Sequence, residues 1–338
     1  MLPLATGGTA PVTVVVREAG IVLASASALL SVGGAAFGFA HAPLASTARA
    51  SALLLGAQPA ALSFEGACTL PTVWSTVHMT LGLSATRKRR GVLLHAAAGG
   101  VGLTALEYTH WLSAWVLATA GRPQKHEQLI DLGVSRRSSS RDGAALACGA
   151  AQLVGGGRLQ LCLNSLSNDF IGASQAVLAE GGHFGEIGKR GTWSSVRQRA
   201  ACGAVRYHMI ALDSEIAARP AWMCGVLGVL ARRASTRTVT ALPLRSYDML
   251  REYEAAFRSL QAGTNRGKVV LRIGRASGLS AGAATSDLVS GGTGGLGLLT
   301  ARWLAQRGSH TVVLASRSGA FARGASATER SLLEASGA

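Results

Sequence analysis

Two glycine clusters constrain the fold of this chain more than any other feature of its sequence. Residues 95–102 read HAAAGGVG, and residues 290–297 read SGGTGGLG. Each cluster follows an apolar run and precedes a segment with apolar residues at helical spacing, which is the strand, glycine turn and helix order of a dinucleotide-binding fold. The sequence therefore predicts two nucleotide-binding units within 338 residues.

The residues around the first cluster predict a doubly wound α/β domain. Apolar runs typical of buried parallel strands alternate with segments of helical spacing, and this alternation favours a parallel sheet covered by helices on both faces. Gly99, Gly100, Val101 and Gly102 are candidate cofactor ligands, because a glycine-rich turn lets the backbone approach a pyrophosphate at a helix start. The predicted strands are 91–97, 115–120, 159–164 and 181–188, and the predicted helices are 103–112 and 170–182.

Arg122 and Lys125 predict which nicotinamide cofactor the domain prefers. A fold that binds NAD usually ends its second strand with an acidic residue that holds the ribose 2′-hydroxyl. Here the strand is followed by GRPQKHEQL, with two cations near that place. We therefore predict NADPH, whose 2′-phosphate these cations would bind. The alternative is that both are solvated surface residues.

Charge and composition argue against several other classes of protein. The chain has 33 Lys and Arg against 17 Asp and Glu, a net charge of +16, but no zinc-finger, homeodomain or aromatic RNA-binding pattern, so we expect no nucleic-acid partner. The five cysteines have no CxxC pair and no Cys/His spacing for a metal, so we expect no metal site.

Residues 19–48 are uncharged but are interrupted by glycines and Pro43, which favours strands over a membrane span. With no secretory signal pattern, we expect a cytoplasmic protein without a membrane partner.

Longer motifs around the first glycine cluster match a known family. They are HAAAGGVG, LNSLSNDFIGASQAVLAEGGHFGEIGKRGTW, LPLRSYDMLREYEAAFRSLQAG and GKVVL. Together, residues 12–273 resemble the enoyl reductase domain of modular type I polyketide synthases, a zinc-free medium-chain reductase. The resemblance implies a Rossmann domain inserted in a GroES-like β lobe, with the first half of that lobe preceding residue 1. Gly34 and Gln160 depart from the family, which prefers acids at these positions.

The second glycine cluster resembles a different reductase. DLVSGGTGGLGLLTARWLAQRGSHTVVLASRSG is similar to the opening βαβ unit of the ketoreductase domain that follows in such synthases. The resemblance implies that its glycines hold a second cofactor and that Arg317 faces the 2′-phosphate. The serine, tyrosine and lysine that the family uses in catalysis would lie beyond residue 338, so we expect no ketone reduction from this unit. The candidate glycines are Gly291, Gly294, Gly295 and Gly297.

The two resemblances divide the chain into five predicted segments. Two form the GroES-like lobe around a Rossmann domain, one is a linker rich in Gly, Ala and Ser, and one opens a second Rossmann fold. They are a partial GroES-like substrate lobe at 1–70, an NADPH-binding Rossmann domain at 71–235, a return to the substrate lobe at 236–273, the linker at 274–285 and the ketoreductase fragment at 286–338.

The first resemblance also implies a reaction, its partners and its site residues. The substrate would be an enoyl thioester on the phosphopantetheine arm of an acyl carrier domain, with neighbouring synthase domains as further partners and a homodimer left open. Charge that gathers on the thioester oxygen needs a cation, and the α carbon needs a proton.

Lys189, in EIGKRGTW, occupies the position of the family's active-site lysine. Asp213 is the candidate aspartate, two residues later than the usual spacing after Tyr207, or a surface acid. Asn164 is a candidate contact of the nicotinamide ribose, or a turn former.

Two other interpretations stay open at this point. One is a free-standing quinone oxidoreductase of the same superfamily, which is disfavoured because such enzymes end near the GKVVL strand. The other is a catalytically inactive synthase fragment, which the departures at Gly34 and Gln160 favour. His95 and His183 lie in apolar runs, so we expect them to be packed or hydrogen-bonded rather than catalytic.

Overall fold

The structure is a computed structural model, and it describes three groups of elements along the chain. The predicted linker at 274–285 lies outside the described residues. The described residues are 16–23, 25, 27–40, 48, 50–83, 90–155, 157–189, 191–263, 265–273, 286–306 and 311–321.

The first group is a three-stranded antiparallel sheet followed by two helices. Its strands are β1 (Val16–Ile21), β2 (Ala35–Ala40) and β3 (Leu55–Ala57), which pair in that order. The helices are α1 (Phe64–Cys68) and α2 (Pro71–Leu83). Ser63 begins α1 by accepting a hydrogen bond from the amide of Gly66, a common N-cap interaction. The expectation of strands rather than a membrane helix within residues 19–48 is confirmed for β1 and β2.

The second group is a six-stranded parallel sheet, with its helices on both faces. Its strands are β4 (Gly91–Leu94), β5 (Trp115–Ala120), β6 (Arg136–Ser139), β7 (Leu159–Asn164), β8 (Leu178–Glu186) and β9 (Arg206–Met209). The spatial order β6-β5-β4-β7-β8-β9 is the 3-2-1-4-5-6 order of a Rossmann fold, whose strand order reverses between β4 and β7. The helices are α3 (Gly100–Trp111), α4 (Pro123–Asp131), α5 (Gly143–Val154), α6 (Asp169–Ala176), α7 (Ser195–Cys202), α8 (Leu212–Ala218) and α9 (Pro220–Ser235).

Both faces of this sheet are buried, which explains why its central strand β4 is apolar throughout. In β4, Val92 and Leu94 belong to one hydrophobic cluster with residues of α2, α3 and α9. Leu93, between them, belongs to the opposite cluster with residues of α5 and α6. Successive side chains of a strand point to opposite faces, so a strand covered on both sides needs apolar residues at every position.

The chain then returns to its first elements. The strand β10 (Leu244–Asp248), the helix α10 (Met249–Ala262) and the strand β11 (Lys268–Arg272) follow, and the two strands pair in parallel. The short helix α1 contacts β1 and β2 and also contacts β10 and β11. The N-terminal sheet and the β10–β11 unit therefore share one helix between them.

The third group is a single βαβ unit near the C-terminus. It consists of β12 (Ser286–Ser290), α11 (Gly295–Gln306) and β13 (Thr311–Ala315), with the two strands parallel. This is the strand, turn, helix and strand order that the second glycine cluster predicts. The α/β class with a Rossmann sheet, a β lobe and the start of a second Rossmann fold is confirmed.

Four predicted elements have other bounds in the structure. The strand predicted at 181–188 is Leu178–Glu186, and the helix predicted at 103–112 is Gly100–Trp111. The first strand was expected to reach residue 97 but ends at Leu94, because the chain turns at Ala96, whose φ is +48°. The helix expected over 170–182 ends at Ala176, and Leu178 already begins β8 opposite Leu159. Leu178 fits the helical spacing of apolar residues, but the structure buries its side chain in the hydrophobic cluster that also contains Leu159 and Phe184.

Candidate active site

The glycine turn after β4 is tied to its neighbours by His95. This side chain is buried, with Nδ1 3.1 Å from Oγ1 of Thr119 on β5 and Nε2 2.6 Å from Oγ of Ser174 on α6. Burial lowers the pKa of His95 from 6.5 to about 3, so the ring is neutral and one nitrogen donates while the other accepts. His95 is packed and hydrogen-bonded, as expected.

The same turn has the shape that a pyrophosphate needs. Gly99 precedes α3, whose first amides have no partner within the helix. A Cβ on Gly102 would lie 2.4 Å from the backbone of Ala97, and one on Gly100 would lie 2.6 Å from Cε of Lys268. The turn therefore requires glycine at position 102, where a Cβ would meet backbone, whereas the atoms nearest Gly100 are the end of the flexible Lys268 side chain. Val101 packs its side chain against the core. Free amides in a turn of this kind fit the phosphates of a dinucleotide, which supports the candidate ligands without showing a bound one.

Three cations gather where β5 ends. Arg122 directly precedes α4, and its Nη2 donates to the carbonyl of Ala262 over 2.8 Å. Nε of Arg141 donates to the carbonyl of Gly121 over 3.1 Å. Burial, followed by the charges of Arg122 and Arg141, lowers the pKa of Lys125. Sequence reasoning missed Arg141, although it follows β6, and the carboxyl ends of neighbouring parallel strands meet at one edge of a sheet.

A buried polar pair joins the ends of β7 and β8. Nδ2 of Asn164 donates to Oε2 of Glu186 and to the carbonyl of Leu166, each over 2.7 Å. The amide of Gly188 donates to Oε1 of Glu186 over 2.7 Å. Burial raises the pKa of Glu186, although both hydrogen bonds act in the opposite direction. Both amide protons of Asn164 are therefore engaged inside the protein, one with the loop after β7 and one with Glu186, which in turn holds the loop after β8. Its contact with a nicotinamide ribose stays a prediction.

The structure brings Lys189 and Asp213 together beside the same edge of the sheet. Nζ of Lys189 lies 2.5 Å from Oδ2 of Asp213. Lys189 stands three residues after β8, and Asp213 lies in the first turn of α8, so the longer spacing after Tyr207 does not separate them. The hydrogen bond from Lys189 holds the pKa of Asp213 below its ordinary value. The lysine side chain is 68% exposed, so a substrate can reach it.

The second glycine turn repeats the geometry of the first. Gly291 has a φ of +70°, which favours glycine, and a Cβ on Gly297 would lie 2.3 Å from the carbonyl oxygen of Gly291. The amide of Gly294 donates to the carbonyl of Gly291, and α11 begins at Gly295. Arg317 is exposed two residues after β13. These residues lie at the carboxyl ends of two parallel strands, and cofactor binding there stays a prediction.

Within the described residues, the remaining polar side chains form neither a metal-binding group nor part of a membrane-spanning helix. His183 on β8 lies with its Nδ1 3.1 Å from Nε2 of His208 on β9, so it is hydrogen-bonded rather than isolated. Among the residues that the structure describes, no three His, Cys, Asp or Glu side chains are grouped to hold a metal ion. Within the same ranges, no helix combines the length and the apolar character that crossing a bilayer requires.

The fold and its glycine turn define a class of nucleotide-binding reductases, and comparison with known proteins identifies the family within that class. A Rossmann sheet with a β lobe is the arrangement of medium-chain dehydrogenases and reductases, and the family described as zinc-binding dehydrogenase matches residues 132–271. The KR domain family matches residues 285–338. The chain is 30% identical to the CurK enoyl reductase, with a TM-score of 0.72 over 77% of this chain and 78% of that one. It is 35% identical over 299 residues to the spectinabilin polyketide synthase system protein NorB of Streptomyces orinoci.

The chain belongs to the enoyl reductases of polyketide synthases and continues into the start of a ketoreductase domain. The alignment with NorB covers 87% of this chain but 13% of NorB, which shows how small a part of a synthase it spans. The Escherichia coli quinone oxidoreductase complexed with NADPH is 21% identical with a TM-score of 0.63, a likeness that shows the fold alone.

Proposed function

We propose that the chain reduces the 2,3 double bond of an enoyl thioester with NADPH, while the substrate is held on the phosphopantetheine arm of an acyl carrier domain. The observation that carries the proposal is the contact between Lys189 and Asp213 at the carboxyl edge of the sheet, in a chain related to the CurK enoyl reductase. The five segments 1–70, 71–235, 236–273, 274–285 and 286–338 are part of this proposal as its domain division.

The residues of this site have complementary roles in the proposed reaction. When bound, the cofactor supplies the hydride that adds to the β carbon of the substrate. The ammonium of Lys189 offsets the negative charge that gathers on the thioester oxygen, or donates a proton to the α carbon. Asp213 accepts a hydrogen bond from that ammonium and keeps it oriented. The buried pair of Asn164 and Glu186 holds the loop from which Lys189 extends.

The preference for NADPH over NADH rests on the cations at the end of β5. A 2′-phosphate adds two negative charges that Arg122, Lys125 and Arg141 can meet with charge-assisted hydrogen bonds, each worth about 1.5–3 kcal/mol when well formed. NADH offers only a hydroxyl at this place. The variant Arg122→Ala/Lys125→Ala should therefore bind NADPH at least about 10-fold more weakly and NADH almost unchanged. Equal affinity of the unmodified chain for the two cofactors would contradict the assignment.

Turnover assays separate the proposed reaction from the alternatives. The 338-residue chain is incubated with NADPH and either a crotonyl thioester or a benzoquinone, and NADPH oxidation is followed by its absorbance. We expect oxidation with the thioester. Oxidation with the quinone alone would identify a quinone oxidoreductase, and no turnover with either would favour an inactive synthase segment.

Variants at the ion pair test the assigned roles. Lys189→Ala should lower kcat by roughly 10- to 1,000-fold with little change in NADPH affinity, because the ammonium acts mainly in the transition state. The double variant Lys189→Ala/Asp213→Ala should be no slower than the slower single variant if the two act as a unit. Arg258→Ala, which breaks the exposed pair of Arg258 and Glu254 on α10, serves as the control and should leave kcat unchanged. Full turnover in Lys189→Ala would remove the residue from the mechanism.

A further inference from the structure

Lys268 lies against the first glycine turn although it belongs to a different sheet. It is the first residue of β11, which pairs with β10 and not with the Rossmann strands. An ideal Cβ on Gly100 would lie 2.6 Å from Cε of Lys268 and 2.9 Å from its Nζ. The ammonium of Lys268 therefore lies beside Gly100, the first residue of α3.

The backbone around Lys268 is fixed, so this placement does not depend on a loose loop end. The amide of Lys268 donates to the carbonyl of Pro243 over 2.8 Å. Gly267, just before it, has a φ of +73°, and a Cβ at this position would lie 1.8 Å from the same carbonyl oxygen. Strand pairing, one backbone hydrogen bond and an obligatory glycine thus determine where the Lys268 side chain begins.

The chain that precedes Lys268 also touches the nucleotide side of the Rossmann domain. Nη2 of Arg122 donates to the carbonyl of Ala262, the last residue of α10. The connection between α10 and β11 therefore meets the Rossmann domain at two points, one beside the end of β5 and one over the glycine turn. These are the two places where a dinucleotide in this fold puts its ribose phosphate and its pyrophosphate.

We propose that Lys268 binds the pyrophosphate of the dinucleotide, so that β11 completes a nucleotide site whose amides come from α3. The inference rests on the proposed use of NADPH. A pyrophosphate at the start of α3 has negative charge on both phosphates, and the amides of Gly100 and its neighbours supply only partial positive charge. Lys268 adds a full charge from the opposite side, which also links cofactor binding to the position of the β10–β11 unit.

Two ligands distinguish the loss of a pyrophosphate contact from a general loss of nucleotide binding. In the 338-residue chain, NADPH binding is titrated by cofactor fluorescence, and adenosine 2′-monophosphate, which lacks a pyrophosphate, is titrated by competition. Lys268→Met should weaken NADPH binding by about 10- to 100-fold, as expected for the loss of one charge-assisted hydrogen bond, and should leave adenosine 2′-monophosphate unchanged. Arg122→Ala should instead weaken both ligands, because both carry the 2′-phosphate.

Two further variants keep the test independent of folding and of net charge. Lys268→Arg retains the charge and should recover most of the NADPH affinity. Arg251→Met removes an exposed cation of α10 and should change neither affinity, and thermal unfolding checks that each variant is folded. The inference is overturned if Lys268→Met binds NADPH as the unmodified chain does, or loses both ligands equally. An unmodified chain that fails to bind NADPH would instead overturn the cofactor assignment itself.

Discussion

Acidification should weaken the fold through His95, by an amount that follows from its burial. The folded pKa is about 3 and the ordinary value is 6.5. Between these values the unfolded chain binds a proton that the folded chain does not. The stability that the neutral ring contributes is therefore complete above pH 6.5 and is lost as the pH falls toward 3. At about 1.4 kcal/mol per pH unit, a change from pH 7 to pH 5 should cost about 2 kcal/mol.

The measurement is a difference between two proteins, which removes the contributions of all other titrating groups. His95→Gln keeps a donor and an acceptor for Thr119 and Ser174 but does not titrate. Urea unfolding of both proteins, followed by circular dichroism at pH 7, 6 and 5, gives the free energy of unfolding at each pH. The advantage of the unmodified chain over His95→Gln should shrink by about 2 kcal/mol from pH 7 to pH 5.

The reasoning would be refuted by equal pH dependence in the two proteins. A titration of the His95 ring by NMR provides a second check on the same point. A midpoint near 6.5 in the folded chain would show that the ring reaches water, and that the contacts with Thr119 and Ser174 do not hold it neutral.

Two further substitutions test the turn and the buried pair. Gly102→Ala should destabilise the fold by about 1–3 kcal/mol, because its Cβ would meet the backbone of Ala97. Gly82→Ala, where a Cβ meets open space in α2, should instead stabilise the fold by about 0.5–1 kcal/mol. Thermal unfolding of both variants measures this, and a similar loss in both would contradict the close approach. Glu186→Gln replaces one acceptor oxygen with a donor that faces Asn164 or Gly188. It should therefore lower kcat for enoyl reduction more than it changes NADPH affinity. An unchanged kcat would show that Glu186 does not position the loop that carries Lys189.

The sequence predicts the fold well because its strongest signals are local. Glycines between an apolar strand and a helix define each nucleotide unit, and β5 and β7 have the predicted bounds. Contacts between segments far apart in the sequence could not be predicted in this way. The sequence places Asp213 too far from Tyr207 for the family spacing, and only the fold shows that it meets Lys189.

The missed residues share one physical reason. Arg141 lies 19 residues after Arg122 and Lys268 lies far beyond Gly100, so neither belongs to the motif that it supports. The parallel sheet brings Arg122 and Arg141 to the same edge. Lys268 begins β11, which pairs with β10 and lies beside the first glycine turn. Spacing along the chain does not show such neighbours, because they depend on how strands are ordered.

The short helix α1 also determines when the first lobe can be finished during synthesis. Its residues near 64–68 contact β10 at 244–248, so these contacts close only after about 180 more residues have been made. The Rossmann sheet between them consists of successive strands and helices and can assemble from contiguous chain as it emerges from the ribosome. Until β10 and β11 arrive, the contacts of α1 with these two strands are missing.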